Sequence, residues 1–214
     1  DLGAEICQRL DEHRRLNGHV QRAGDLGAGE RFLRGVLFAD ANEPKIADLA
    51  ACYGAESERL RDTVRRLRPG VDLGTRTERE FWRAVVEAAG AVPTEADLDF
   101  TAYIAPMPGA FEAVSTLAAR YRLAILSNDS RELSKARRAQ LPVRIDDVVI
   151  SAEVGVMKPD ESIYRILLDR LEVPAEKTLF LDDRIENVDA ARLVGMHAVH
   201  FTSWSEVFPV LAGR

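Results

Sequence analysis

Between Lys177 and Met196 the chain reads KTLFLDDRIENVDAARLVGM, and this stretch limits the available folds more than any other. An apolar β-type segment at 178–181 runs into two adjacent carboxylates, Asp182 and Asp183. A helical pattern carrying Val188, Ala191, Leu193 and Val194 follows at once. Strand, acid pair and helix in direct succession suit an open parallel sheet, where ligands collect beyond the carboxyl ends of the strands and paired acids can hold a divalent cation. The competing reading makes one of the two acids an N-cap for the next helix and nothing more. These residues alone do not separate the two readings.

The rest of the chain supplies the partners such a sheet needs. Short apolar runs recur at Gly35-Val36-Leu37-Phe38-Ala39, at 123–126, at 148–150 and at 198–201, and helical patterns lie between the last four strands. The expected fold is therefore α/β, a Rossmann-like, doubly wound parallel sheet of five strands. One interval departs from this alternation. From Pro44 to about Phe100 the pattern is helical only: Ile46, Leu49, Ala50 and Tyr53 share one face before Gly54, and a second helix starts at Ser57 and is expected to close at Pro69-Gly70. A third opens with the capping-box pair Thr77 and Glu80. Its Phe81-Trp82 pair suits a packed core better than a ligand pocket. The division expected is an N-terminal helical extension over 1–30, a core of 31–43 and 101–214, and an inserted helical bundle over 44–100. Leu2, Ile6 and Leu10 give the extension a narrow apolar stripe, suited to the domain edge or to a second copy in a homodimer.

Composition removes several classes of function. Acids and bases are interspersed around a net charge of −6, so there is no basic field of the kind nucleic-acid binding needs. No apolar run approaches the roughly 20 residues that span a bilayer, and no signal-peptide pattern opens the sequence. Cys7 and Cys52 match no metal spacing and are too few for a disulfide framework. The expectation is a soluble, cytoplasmic protein with no membrane partner.

Each strand read above, apart from the last, is followed by residues able to handle an anion: Asp40 and Asn42, Ser127 and Asn128, Lys158 within Gly155-Val156-Met157-Lys158-Pro159-Asp160, and the pair Asp182-Asp183. A hydroxyl, an amide and a lysine converging on one point would cradle a phosphate, with carboxylates opposite holding Mg²⁺. The strings LAILSND (123–129), ISAEVGVMKPDESIYRILLDRLEV (150–173) and TLFLDDRIENVDAARLVGMHAVHF (178–201) resemble motifs two, three and four of the haloacid dehalogenase superfamily. The likeness is strongest to its subfamily with a helical cap, which includes small-molecule phosphatases and the N-terminal phosphatase domain of soluble epoxide hydrolases. The resemblance implies sheet order 5-4-1-2-3 and a helical cap at 44–100. It further implies phosphate contact by Ser127 and Asn128, charge neutralisation by Lys158, and Mg²⁺ at Asp183 with support from Asp182.

Motif one departs from the pattern. In the family's phosphatases the first strand ends in an Asp that attacks phosphorus, and an Asp two residues later protonates the leaving oxygen. Here the sequence is Phe38-Ala39-Asp40-Ala41-Asn42-Glu43-Pro44. In one alignment Ala39 and Ala41 take the two positions, and the protein is a silent relative that binds a phosphorylated metabolite or a protein partner. In the other, Asp40 is nucleophile and metal ligand and Asn42 replaces the acid, giving a slow Mg²⁺-dependent phosphatase acting on a small phosphorylated molecule. A missing general acid costs about 10² to 10⁴ in rate. Dehalogenation, which uses the same kind of nucleophile, has no residue here that favours it.

Overall fold

The computed structural model describes residues 30–33 and 36–212. The N-terminal helix expected around Leu2, Ile6 and Leu10 lies outside the described residues. Five strands, β1 (Glu30–Leu33), β2 (Leu123–Ser127), β3 (Asp147–Ile150), β4 (Thr178–Asp182) and β5 (His197–His200), form one parallel sheet in the order β3-β2-β1-β4-β5. Side chains alternate across it with the two-residue period of a strand. Leu123, Ile125, Leu179 and Leu181 pack on one face under the helices Ala110–Ala118 and Trp204–Ala212, here α5 and α10. Ala124, Leu126, Phe180 and Ala198 pack on the other under Glu161–Leu171 and Ile185–Leu193, here α8 and α9. β2 and β4 are buried along their whole length, which is why they read as unbroken apolar runs.

Between β1 and α5 lies a helical unit: α1 (Asn42–Tyr53), α2 (Ser57–Asp72), α3 (Glu78–Ala88), the short α4 (Glu95–Leu98) and a 3₁₀ turn at Thr101–Tyr103. It has a core of its own that includes Ile46, Leu60, Val71, Phe81, Trp82 and Val85. Phe81 and Trp82 meet edge to face at 4.9 Å in that core and do not face the large cavity described below. Gly54 stops α1 in the left-handed conformation, its N–H returning to Ala50 O, and Thr77 with Glu80 forms a reciprocal capping box on α3. Where the unit meets the core, the backbones nearly touch. A Cβ on Gly74 (φ +73°) would sit 2.5 Å from Ala152 O, so only glycine fits.

Two expectations are overturned. The first strand is Glu30–Leu33, not 35–39. Val36 and Leu37 are buried, but in a bend, and the segment pairs with the chain returning from the helical unit. Phe38 bridges antiparallel to Pro106, Ala39 N donates to Ala105 O at 2.9 Å, and Met107 N donates to Leu37 O at 2.8 Å. An apolar run records burial, and burial is available to a linker threaded through the core as well as to a strand. The second helix does not close at Pro69-Gly70 but runs through Pro69 to Asp72. Its last turn is held by the fully buried Val71 and by an Arg68 to Asp72 ion pair one turn apart, which offset the hydrogen bond that proline removes. Among the described residues no helix is long and apolar enough to cross a membrane.

Candidate functional site

The carboxyl ends of the strands open onto a cavity of about 560 Å³. Of the residues singled out in the sequence, Asp40, Asn42, Ser127, Asn128 and Asp183 line it. Lys158 and Asp182 lie behind its floor, both side chains fully buried. Lys158 Nζ donates to Asp182 Oδ2 at 2.6 Å and to Leu126 O at 2.9 Å, with the Phe180 ring 5.1 Å away. The other Asp182 oxygen accepts from Asn187 Nδ2 at 2.9 Å and from Arg184 N at 3.0 Å. Burial alone would raise the Asp182 carboxyl, but the Lys158 ammonium and these donors hold it below the usual carboxylate range. Each partner thus neutralises the other behind the wall of the cavity.

Asn128 closes a second structural clasp. Its Nδ2 donates to Lys158 O at 2.8 Å, and its Oδ1 accepts from Lys158 N at 2.7 Å, tying the end of β2 to the loop after β3. Ser127, the last residue of β2, has no side-chain hydrogen bond among the described residues, so its hydroxyl is available to a ligand. Asp183 is exposed at the rim, and its carbonyl meets His200 Nε2 at 2.9 Å.

Asp40 sits well beyond the end of β1. Its Oδ1 accepts from both the backbone N and the Nδ2 of Asn42, each at 2.9 Å, so it turns the chain into α1. The last residue of β1 itself is Leu33, which lies in register with Leu181, the residue before Asp182. No carboxylate ends that strand. The two alignments that put Ala39 or Asp40 at the nucleophile position assumed a strand ending at Phe38 or one residue later.

A second set of charges was not singled out in the sequence. Asp129, buried, follows Asn128 and stands between two arginines: Arg137 Nη1 at 3.0 Å from α6 (Arg131–Arg138) and Arg68 Nη2 at 3.6 Å from α2. Arg137 also reaches Ala39 O at 3.4 Å. Arg68 bonds Asp72 at 3.0 Å and lies 2.9 Å from the buried Glu78 of α3. Arg68 Nη1 and Glu78 Oε1 are thus at ion-pair distance, but neither has hydrogen-bond geometry towards a partner. Burial pushes the Glu78 carboxyl above its usual range, and Arg68 and the Ser130 hydroxyl offset only part of this. The one local signal for the set lies in α6 and its continuation, where Leu133, Ser134, Arg137, Arg138 and Leu141 recur at one-face spacing.

The residues fit a divalent cation poorly. Asp182 is paired with Lys158 and Asp40 holds the start of α1. Among the described residues no three His, Cys, Asp or Glu side chains are grouped to hold a metal ion. Mg²⁺ keeps several waters and is held by one or two carboxylates with a ligand's phosphate. Of the acids singled out in the sequence only Asp40 and Asp183 line the cavity, and Asp40 Oδ1 already accepts both donors of Asn42.

Residues 21–195 match the sequence model of a family described as haloacid dehalogenase-like hydrolase. A phosphorylated carbohydrates phosphatase of Thermotoga maritima is 33% identical over 104 residues, which cover 47% of this chain and 48% of that one. A sesquiterpene phosphatase of Aspergillus oryzae is 42% identical over 57 residues, covering 27% and 29%. The matched stretches span less than half the length of these curated relatives. Among solved structures, a haloacid dehalogenase family enzyme of Bacteroides thetaiotaomicron superimposes with TM-score 0.68 at 18% identity, over 83% of this chain and 96% of that one. That enzyme has also been solved in complex with magnesium and inorganic phosphate.

Proposed function

Because the chain belongs to the haloacid dehalogenase-like hydrolase family and yet ends its first strand without a carboxylate, we propose that it is a ligand-binding relative of the family's phosphatases in which aspartyl attack has been lost. The helical unit over 42–103 is the cap of the strand-end cavity, and that cavity is the binding site. One observation carries this reading: β1 closes at Leu33 beside Leu181, so the end of the strand itself presents no carboxylate to form an acyl-phosphate. Lys158 and Asp182 are retained as a buried ion pair that braces the cavity floor. Ser127 presents its hydroxyl at the floor, and Asn128 fixes the loop that carries Lys158.

A second reading keeps some support, because Asp40 does line the same cavity as Ser127, Asn128 and Asp183. In it Asp40 is the nucleophile of a Mg²⁺-dependent phosphatase. Both donors of Asn42 engage Asp40 Oδ1, so the attack would come from Oδ2, and the arrangement supplies no acid for the leaving oxygen.

Hydrolysis of p-nitrophenyl phosphate decides between them. The binding reading expects no release above the uncatalysed rate, with or without millimolar Mg²⁺. Turnover that co-purifies with the protein and disappears in Asp40→Asn would restore the phosphatase reading.

A further inference from the structure

Resting on the reading of the cavity as a place of binding rather than turnover, we propose that it takes an apolar-bodied monocarboxylate. Asp129 excludes doubly charged phosphate heads by occupying the place between Arg68 and Arg137 that such a head would need.

The walls set the body of the ligand. Phe38, Met107, Ile125, Leu133, Leu141 and Ile150 face the cavity, and its volume of about 560 Å³ lies within the range of small-molecule sites. These six belong to the apolar part of a lining that elsewhere carries Asn42, Ser134, Thr202 and charged side chains. Burying an alkyl or branched hydrocarbon chain against the six is favourable in proportion to its area.

The charges set the head. Arg68 and Arg137 line the cavity but are already compensated by Asp129, Asp72 and Glu78. Arg184 is paired with Glu186. Arg138 lines the cavity and makes no ion pair among the described residues. With the Ser127 hydroxyl, it offers one positive charge and one neutral donor. A carboxylate brings a single charge that a guanidinium accepts through two parallel bonds. A phosphate monoester brings about −1.5 to −2. It meets the same single cation, with Asp129 and Asp183 repelling the remainder and no metal cage to absorb it. Asp129 is therefore a specificity residue: a carboxylate of the chain itself stands where the ligand's second charge would go.

Three ligands with one body and three heads test this: octanoate, octyl phosphate and 1-octanol, titrated calorimetrically at pH 8 into the whole chain. The wild type is expected to bind octanoate about tenfold or more tighter than octyl phosphate, the size of effect that one charged hydrogen-bonding partner carries. Asp129→Asn is expected to reverse the order by strengthening octyl phosphate and inorganic phosphate together. Arg138→Gln is expected to bring octanoate down to the level of octanol, and Leu141→Gln to weaken all three octyl ligands alike. Octyl phosphate binding the wild type as tightly as octanoate overturns the proposal, as does an unchanged order in an Asp129→Asn protein with a normal thermal melt. If Asp129→Asn does not fold, the Arg138→Gln comparison decides, and an unaltered octanoate affinity there is fatal. Phosphate released from octyl phosphate during the titration would instead defeat the binding reading of the cavity, and it is scored separately from the ranking of heads.

Discussion

Two clusters of buried charge lie close together at the strand ends, and they are built differently. In one, Lys158 and Asp182 are both fully buried, at 2.6 Å, and their remaining capacity is met by Leu126 O, Asn187 and Arg184 N. In the other, Arg68, Glu78, Asp129 and Arg137 join the helical unit to the core, and several of their atoms have no hydrogen-bond partner among the described residues: Arg68 Nη1, Arg137 Nε and both Glu78 oxygens. Burying a charge costs free energy that only close, directed partners return. The first cluster meets that demand and belongs to the scaffold. The second meets it in part, and it sits where helical unit, core and cavity converge.

The largest expected effect comes from breaking the satisfied pair. Lys158→Met leaves the Asp182 carboxylate buried and uncompensated, and should lower unfolding stability by about 3–5 kcal/mol in urea titrations. A change below about 1 kcal/mol would mean that water reaches Asp182 and that the pair is not a sealed brace.

The incompletely satisfied cluster should respond less, and with a pH signature. Arg68→Met takes away the ion-pair partner of Glu78, while Asp129 keeps Arg137, and is expected to cost about 2 kcal/mol. Glu78→Gln removes a carboxyl that burial pushes above its usual range. Such a group binds its proton more tightly in the folded state than in the unfolded one. Its contribution is complete below the unfolded carboxyl value and is lost as pH rises through the raised folded value. Wild-type stability should therefore decline as pH climbs out of the ordinary carboxyl range, and Glu78→Gln should flatten that decline. Parallel pH profiles for the two proteins would place the titration elsewhere.

A buried cation inside the helical unit reverses that sign. Lys45 lies under the rings of Trp82 at 4.8 Å and Tyr103 at 5.2 Å, and it donates to Asp99 O. Burial lowers its ammonium from 10.5 to about 8, against the pull of Asp99, Asp97, Glu78 and Asp48. Between those values the unfolded chain holds a proton that the folded one has released, so stability should rise with pH from about 8. The rise is best read below pH 10, before the tyrosines titrate, as the difference between wild type and Lys45→Met. A flat difference would show that Lys45 keeps its charge by reaching solvent.

The contrast between these regions also marks what the sequence made legible. The strands at 123–127, 147–150, 178–182 and 197–200 and the Thr77 to Glu80 capping box rest on patterns within a few residues, and local pattern suffices for them. The first strand was misplaced because Val36 and Leu37 are as apolar as strand residues while serving as a buried link, and Glu30–Leu33 carries only Phe32 and Leu33 as apolar residues. Ser127, Asn128 and Asp183 line a common cavity, and each follows an apolar run that announces a strand end. Arg68, Asp129 and Arg137 come together from two helices and a loop, and apart from the one-face spacing on α6 nothing local marks the meeting.

The smallest expected effect tests the residue on which the phosphatase reading depends. If Asp40 serves only to turn the chain into α1, Asp40→Ala removes the acceptor for Asn42 N and Nδ2 and should cost about 1 kcal/mol, as loss of such a side-chain acceptor does at helix starts. Asp40→Asn keeps an oxygen in the same place and should restore most of that stability. A nucleophile obeys a different rule, since an amide cannot attack phosphorus and Asn would be as inactive as Ala. Stability rescued by Asn, in a protein with no phosphatase activity to lose, would identify Asp40 as part of the α1 entrance alone. Activity that is present in the wild type and absent from both variants would return the carboxylate to the chemistry, and the β1 end would then no longer be where catalysis has to begin.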